Sequence, residues 1–396
     1  MHGASNIAVL IPEFPGQTHI FFWREIQALR DSGQNAYIVS TRKPREKNFH
    51  EFCENLHDTF YLSPMPVLRV LGFCLGHLFW LMRALAYCIR LKGSFRTRLR
   101  TCLFIPFAAN LIIYSKSKDI HHIHVHSSAD AAHVAALAAL SGSFTYSVCI
   151  HGNLNQYGDN HQFKLQSAAC IITVTKPLKA EVLATIPDYP PERVHVLPMG
   201  VDISKFLPRS YSDRHDKPYI ITSVSRLAFV KGHTFALRAL AELPEDIEFR
   251  YQIVGDGEMR SKLEQEVESL GLAGKVEFLG FRREGEVYEI LQNTDVFMLT
   301  SFGFGEAAPV AIMEAMACGV APICSIIGGT KDMISDNHDG LLVQQKSVDD
   351  IKRALLYLLQ DPARLKIIGK NARDTAEKRF CHRSSANTLL QHIIHC

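Results

Sequence analysis

The 396-residue chain carries ten cysteines but no C-x-x-C spacing, which removes the usual thiolate zinc site and the dithiol redox pair. Scattered thiols of this kind fit a reduced, cytoplasmic protein. No basic segment followed by an apolar stretch opens the chain, so a secretory signal is not expected. Acid is missing from one long region: between Thr59 and Lys118 there is no Asp or Glu, while Arg69, Arg83, Arg90, Lys92, Arg96, Arg98, Arg100, Lys116 and Lys118 all fall there. The uncharged runs Val70–Met82 and Thr101–Ser115 in that region are shorter than the roughly 20 apolar residues that span a bilayer. No Asp-x-Asp pair sits at an obvious strand end, so nothing calls for a metal ion or another cofactor.

What is present describes a globular chain, 47% hydrophobic and 21% charged, long enough for two cores. The net charge of +3 points to no polyanionic partner and argues against nucleic acid. Leaving out the nine basic residues above, the remainder stands at −6, so the positive charge is local.

Asn6–Ile11 is an apolar run ending at Pro12, the pattern of a strand buried on both faces of a parallel sheet. A helical stripe of Ile20, Trp23, Ile26 and Leu29 follows, then Gly33 and a second strand at Asn35–Ser40. Further strands are expected at His122–His126, Thr145–Ile150, Cys170–Val174 and Val194–Leu197. A second series runs through Tyr219–Val224, Glu248–Val254, Lys275–Leu279, Asp295–Leu299 and Val320–Cys324, with helices between. The expected fold is α/β, with two Rossmann-like doubly wound domains facing a cleft. Their expected bounds are 1–205, with a basic apolar helical insertion at about 64–118, and 206–378. A C-terminal helix at 379–396 is expected to return toward the first domain.

Ser301–Gly319 reads SFGFGEAAPVAIMEAMACG. A strand leads through a glycine turn into a helix expected to start near Ala307 or Ala308, with Pro309 tolerated in its first turn. Free N–H groups at such a start suit a phosphate. Glu306 precedes the helix and Glu314 lies inside it, and each carboxylate can accept two hydroxyl hydrogen bonds, as from a vicinal diol. A nucleotide sugar presents diol, diphosphate and ribose diol in that same order. Gly303–Ala308 also satisfies the G-x-G-x-x-A dinucleotide fingerprint, but the next strand ends without the acid that would hold a ribose.

This E-x7-E string, Glu306 to Glu314 within FGE…EAMACG, resembles family 4 of the retaining glycosyltransferases, which have the two-domain GT-B fold. The resemblance implies that Glu306 contacts the donor sugar, Glu314 the ribose, and the backbone at Phe304 and Gly305 the diphosphate. It also makes Arg226 and Lys231, in SVSRLAFVKG, the cations that grip the diphosphate as charge develops on it. Gly255 in IVGDG lies beside the nucleotide by the same resemblance, LPMGVDISKF matches the inter-domain segment, and His151 is placed near the transferred sugar. GGTKDMI departs from the family by carrying Lys331 and Asp332 where proline and glutamate are usual. FPGQTHIFFWR resembles the opening of family members that build exopolysaccharides such as colanic acid, which puts Gly16, Gln17 and Thr18 at the acceptor site.

The resulting expectation is metal-independent, retaining transfer from a UDP- or GDP-sugar to a glycan or polyprenyl-linked acceptor. The basic apolar stretch would lie on an anionic membrane, at the cytoplasmic face. Nucleotide-sugar 2-epimerisation and a catalytically silent membrane-associated scaffold are the competing readings.

Overall fold

The structure is a computed structural model that describes residues 5–16, 20–44, 58–209 and 218–394. Two compact units form, one from residues 1–198 with 383–396 and the other from 199–382. The divisions therefore fall at 198/199 and 382/383 rather than at the expected 205/206 and 378/379. Backbone pairing explains the shift: Val201 bonds Phe380 and His382, which ties the segment after Pro198 to the end of the second unit.

In the first unit, β1 (Asn6–Glu13), β2 (Asn35–Arg42), β3 (Phe60–Tyr61), β4 (His122–His126), β5 (Thr145–Ile150), β6 (Ile171–Thr173) and β7 (Val194–Val196) form one sheet. Its order is β3-β2-β1-β4-β5-β6-β7, and every pairing is parallel. Ile7 to Ile11 of β1 are all buried, as a central strand covered on both faces requires. Strand order reverses direction between β1 and β4, the position at which doubly wound sheets open a crevice beyond their carboxyl ends.

Helices α1 (Ile20–Asp31), α2 (Val67–Gly76), α3 (Leu78–Arg90), α4 (Phe95–Cys102), α5 (Ile105–Ser117), α6 (Asp130–Ala139), α7 (His161–Leu165) and α8 (Lys176–Thr185) accompany this sheet. Helix α1 buries Phe22, Arg24, Ile26, Ala28 and Leu29. Ile20 and Trp23 of the expected stripe are only partly buried, so the helix is rotated from that expectation. The basic region is four helices. Of these, α5 buries Ala108, Ala109, Leu111 and Ile112, and packs against α6. The indole N–H of Trp80 and the guanidinium of Arg83 anchor α3 to the C-terminal turn of α6 by donating to Leu137 and Leu140 carbonyls, at 3.0 and 2.9 Å. No single helix among the described residues is long and apolar enough to cross a membrane; α2 and α3 pass that test only together and are bent by 97°.

The second unit holds β8 (Tyr219–Val224), β9 (Phe249–Val254), β10 (Val276–Gly280), β11 (Val296–Leu299), β12 (Ala321–Ser325) and β13 (Leu341–Val343), again all parallel, in the order β10-β9-β8-β11-β12-β13. Here the order reverses between β8 and β11. The helices are α9 (His233–Ala241), α10 (Arg260–Ser269), α11 (Glu284–Gln292), α12 (Val310–Ala317), α13 (Thr330–Met333), α14 (Val348–Leu359) and α15 (Pro362–Arg379). They enclose a core of Ile221, Tyr251, Ile253, Met298 and Ile323 with Leu237, Leu355 and Leu358. Asp349 and Asp350 occupy the first turn of α14, where they complement the helix dipole, and the Ser347 hydroxyl caps the Asp350 N–H. The last helix, α16 (His382–Ile394), belongs to the first unit from Arg383 onward. Ala386 and Leu390 complete the core that α1 forms with β1 and β2.

Four buried histidines carry a pH dependence. Burial holds His122 and His133 down to about 3, and His124 and His233 down to about 4, so all four fold neutral. Unfolded, each protonates near its ordinary 6.5. Between those values the unfolded state binds more protons, so stability falls as pH falls, by roughly 1.4 kcal/mol per pH unit for each histidine. Glu25, raised by burial against the opposing pull of His124, acts in the other sense and offsets part of one. The urea midpoint should therefore drop steadily from pH 6.5 to pH 4.5. A flat midpoint over that window would contradict these neutral, buried imidazoles.

Candidate active site

The two loops at the reversal point of the second sheet bring the charged residues together. The loop after β8 runs Ser225–Gly232 through a short 3-10 turn at Phe229–Lys231. The loop after β11 runs from Thr300 to Pro309. Between them the Lys231 ammonium pairs with Oε1 of Glu306, and the Ser301 hydroxyl donates to the same oxygen at 3.0 Å. Both charged side chains are largely shielded, at 13% and 9% exposure. A pair so placed loses hydration on both partners, and only their mutual attraction with the added hydroxyl bond offsets that loss.

Close backbone approach explains the glycines. Gly255, at φ +130°, lies where a Cβ would sit 1.9 Å from the Ser225 carbonyl oxygen, so the loops after β8 and β9 are in backbone contact. Gly328, at φ +54°, does the same for the loop after β12, whose Cβ would meet the Glu306 carbonyl oxygen at 1.9 Å. The Gly329 N–H then donates to the Ala307 carbonyl at 2.8 Å. The variant segment at Lys331 and Asp332 forms the short helix α13. Its Asp332 carbonyl accepts from Arg379.

Helix α12 starts at Val310, with Pro309 as its N-cap. This corrects the expected start at Ala307 or Ala308. Proline has no N–H, and its fixed φ with ψ of 116° holds it in extended backbone outside the first turn. Glu306 consequently lies four residues ahead of the helix, while Glu314 is buried in its second turn. Phe304 and Gly305 are exposed on the intervening loop, as is Arg226 on its own loop. Gln345 was not read as a site residue, yet it ties two of these loops: its carbonyl accepts from the Gly303 N–H and its amide donates to Ile326, both at 2.8 Å. Ser301 was likewise missed.

The first unit has its own polar cluster at the carboxyl ends of β4 and β5. Nε2 of His151 lies 2.9 Å from Nδ1 of His126, whose Nε2 lies 3.0 Å from Oε1 of Glu25 on α1. The rings of Phe21 and Phe22 pack on these imidazoles, with centroids 4.1 to 5.4 Å apart among the four. His124, His126 and Cys149 also bring ligand-type atoms within 4.8 Å. Protein groups already occupy both ring nitrogens of His126 and Nδ1 of His124, the latter through the Ser147 hydroxyl at 2.7 Å. This is a hydrogen-bonded cluster in its present geometry, not an open ligand cage. Gly16 follows β1 on a partly buried loop; Gln17 and Thr18 lie outside the described residues.

The family model for Glycosyltransferase Family 4 matches residues 20–205, and that for Glycosyl transferases group 1 matches residues 209–375. Each half of the chain is thus similar to a glycosyltransferase family, and the two matches together run from residue 20 to residue 375. A putative colanic acid biosynthesis glycosyltransferase of Escherichia coli (strain K12) is 34% identical over 197 residues, which is 48% of this chain and 48% of that protein. A UDP-Gal:α-D-GlcNAc-diphosphoundecaprenol α-1,3-galactosyltransferase of Escherichia coli is 30% identical over 205 residues, 48% of this chain and 51% of that protein. The chain thus spans about half the length of the curated relatives it matches. Among solved structures, Anabaena HepE in complex with UDP superposes with a TM-score of 0.76 at 18% identity, covering 99% of this chain and 100% of that one. That likeness is one of fold: two Rossmann-like units, as in the GT-B glycosyltransferases.

The loop contact at Gly255 is testable without a substrate. Gly255→Ala should destabilise the protein by about 2–3 kcal/mol, because the methyl meets a backbone oxygen and φ is unfavourable for any L side chain. Urea unfolding measures this. A change below about 0.5 kcal/mol would mean that the loops do not pack as described.

Proposed function

We propose that the protein is a retaining glycosyltransferase that moves a sugar from a UDP- or GDP-sugar to a glycan or polyprenyl-linked acceptor, without a metal ion. The observation that carries this reading is the Lys231–Glu306–Ser301 cluster at the reversal point of the second sheet. A donor bound there meets a carboxylate able to accept sugar hydroxyls. Beside it stands an ammonium that can turn from Glu306 to a diphosphate oxygen as negative charge grows on the leaving group. Arg226, exposed on the same loop, supplies a second cation, and the N–H groups around Gly305 supply neutral donors. Glu314 accepts the ribose hydroxyls. These donors and cations take the place of a metal in stabilising the leaving diphosphate. The diphosphoundecaprenol acceptor in one relative's name supports a lipid-linked acceptor here.

Calorimetric titration with UDP, GDP, ADP and NAD, with no metal added, tests the donor site. One nucleoside diphosphate should bind saturably, and Glu314→Ala should weaken it about tenfold or more, the worth of a hydrogen bond to a charged group. Glu306→Ala should lower transfer about 100-fold or more while the fold survives. Binding of NAD alone, or wild-type turnover in Glu306→Ala, would overturn the assignment.

A lipid-linked acceptor also gives the basic helices a role. Of the 19 large hydrophobic side chains that stand exposed among the described residues, 12 lie between Val67 and Leu103 on α2 to α4 and the turn that follows, including Leu68 at 86% and Phe79 at 72%. Arg69, Arg90 and Arg96 lie among them with no acidic residue in the segment. Apolar side chains interleaved with uncompensated cations match an anionic lipid surface, and these helices rest on it at the cytoplasmic face. Leu68→Asp with Phe79→Asp should reduce sedimentation with phosphatidylglycerol vesicles on the order of tenfold or more and leave the melting temperature unchanged, because neither residue is packed. Undiminished vesicle binding by a folded double variant would end this part of the reading.

A further inference from the structure

Segment 302–307, which carries Glu306, is fastened at its two ends and open between them. At its start the Phe302 N–H donates to the Val230 carbonyl at 2.8 Å, and the buried Phe302 ring meets Phe229 and Phe235 edge-on, with centroids 5.1 and 5.6 Å away. At its end the Ala307 carbonyl accepts from Gly329. Between them Gly303 and Gly305 stand at φ +76° and +93°, and a Cβ on either would meet nothing within 4 Å. These glycines therefore serve the turn rather than a close approach, and glycine is the residue with most freedom to lose when it is ordered. The N–H groups of Gly305 and Ala307 meet no acceptor among the described residues. Gln345 bridges to this open stretch: its carbonyl accepts from the Gly303 N–H and its amide donates to the Ile326 carbonyl, both at 2.8 Å. An exposed glutamine costs rotamer entropy to hold in one place. Gln345 is exposed, so these two bonds rather than packing keep it there. Its neighbour Lys346 stands at φ +62°. Extended backbone would send the two side chains to opposite faces; the left-handed residue lets both reach the loop after β11, and the Lys346 ammonium lies 4.5 Å over the Phe302 ring.

The geometry points to Gln345 as a positioning residue of the donor site, a tether that holds segment 303–307 in the turn whose free N–H groups and Glu306 carboxylate receive the diphosphate-sugar end of a nucleotide sugar. The inference rests on the reading of that loop as the donor's. Every group in it belongs to the second unit, on the loops that follow β11, β12 and β13. The tether acts before the ligand arrives. Without it the glycine stretch samples several conformations, and a ligand that needs one of them binds more weakly in proportion to the population that has it. Once bound, the ligand's own contacts hold the turn, so the complex reacts as before. Glu314 lies inside α12, outside the tethered stretch, so the ribose end is insulated from the tether.

Gln345→Met keeps the length of the side chain and removes both hydrogen bonds. Hydrogen exchange of the peptide spanning 300–309, read by mass spectrometry in the nucleotide-free protein, should quicken about fivefold or more, the worth of one lost hydrogen bond, while the urea midpoint stays where it is. Unaltered exchange overturns the tether. A lowered midpoint makes Gln345 a general structural bond and overturns the positioning role. Calorimetric titration then compares the monophosphate and diphosphate of whichever nucleoside, uridine or guanosine, the wild type binds. In Gln345→Met the diphosphate should bind about five- to tenfold more weakly and the monophosphate less than about twofold. The kinetic arm follows nucleoside diphosphate release from whichever of UDP-glucose, UDP-galactose and GDP-mannose the protein turns over. There KM should rise by about the same factor as the diphosphate Kd, with kcat changed less than about twofold, the signature of a loss in ground-state binding. Equal weakening of monophosphate and diphosphate, or a fall in kcat with KM unchanged, overturns the positioning role. Wild-type protein that binds neither UDP nor GDP would remove the donor reading, and the positioning role with it, while the exchange result still decides whether the tether exists.

Discussion

Every strand pairing in both sheets is parallel, and that constraint governs everything functional in the molecule. Parallel neighbours cannot be joined by a tight turn, so each strand hands the chain to a crossover that returns it to the same edge. All the loops that leave carboxyl ends therefore gather at one side of each sheet. Where strand order reverses, two adjacent loops depart in opposite directions and leave space between them. Lys231 and Glu306 come from those two loops in the second unit. In the first unit His126 leaves the corresponding strand, β4, and meets His151 from its neighbour.

The two clusters solve a common problem differently. Each places a carboxylate where water is scarce. Glu306 is balanced by a full positive charge and a hydroxyl, an arrangement that can be exchanged when a more highly charged anion arrives. Glu25 is held instead by the imidazole of His126, an arrangement that has little to exchange. One suits a group that must respond to a ligand, the other a group that must stay still.

Much of the fold was legible because buried parallel strands announce themselves as continuous apolar runs. The two-residue β3 and three-residue β13 have too few residues for a pattern and exist because a neighbour is there to pair with. The E-x7-E string was legible as spacing, and the residues that complete it were not. Ser301 reaches Glu306 only after the loop folds back on itself, and Gln345 is 42 positions beyond Gly303, the residue whose N–H it accepts from. Glu25 was hidden by its own helix, since an apolar stripe read as Ile20, Trp23, Ile26 and Leu29 assigns no inward role to a carboxylate between them. The actual face, Phe22 with Ile26 and Leu29, turns Glu25 toward β4. Helical periodicity could not choose between two faces about 60° apart.

The return of α16 has a consequence in time rather than in space. Ala386 and Leu390 fill the core between α1 and the sheet of the first unit, and His392 stacks on His195 with ring centroids 3.6 Å apart. Those residues follow the whole of the second unit in the chain. On the ribosome, the first unit therefore waits with an apolar gap over β1 and β2 while some 180 residues of another fold are made. Domains ordinarily mature in the order of their synthesis. Here the one that starts first is the last to be finished.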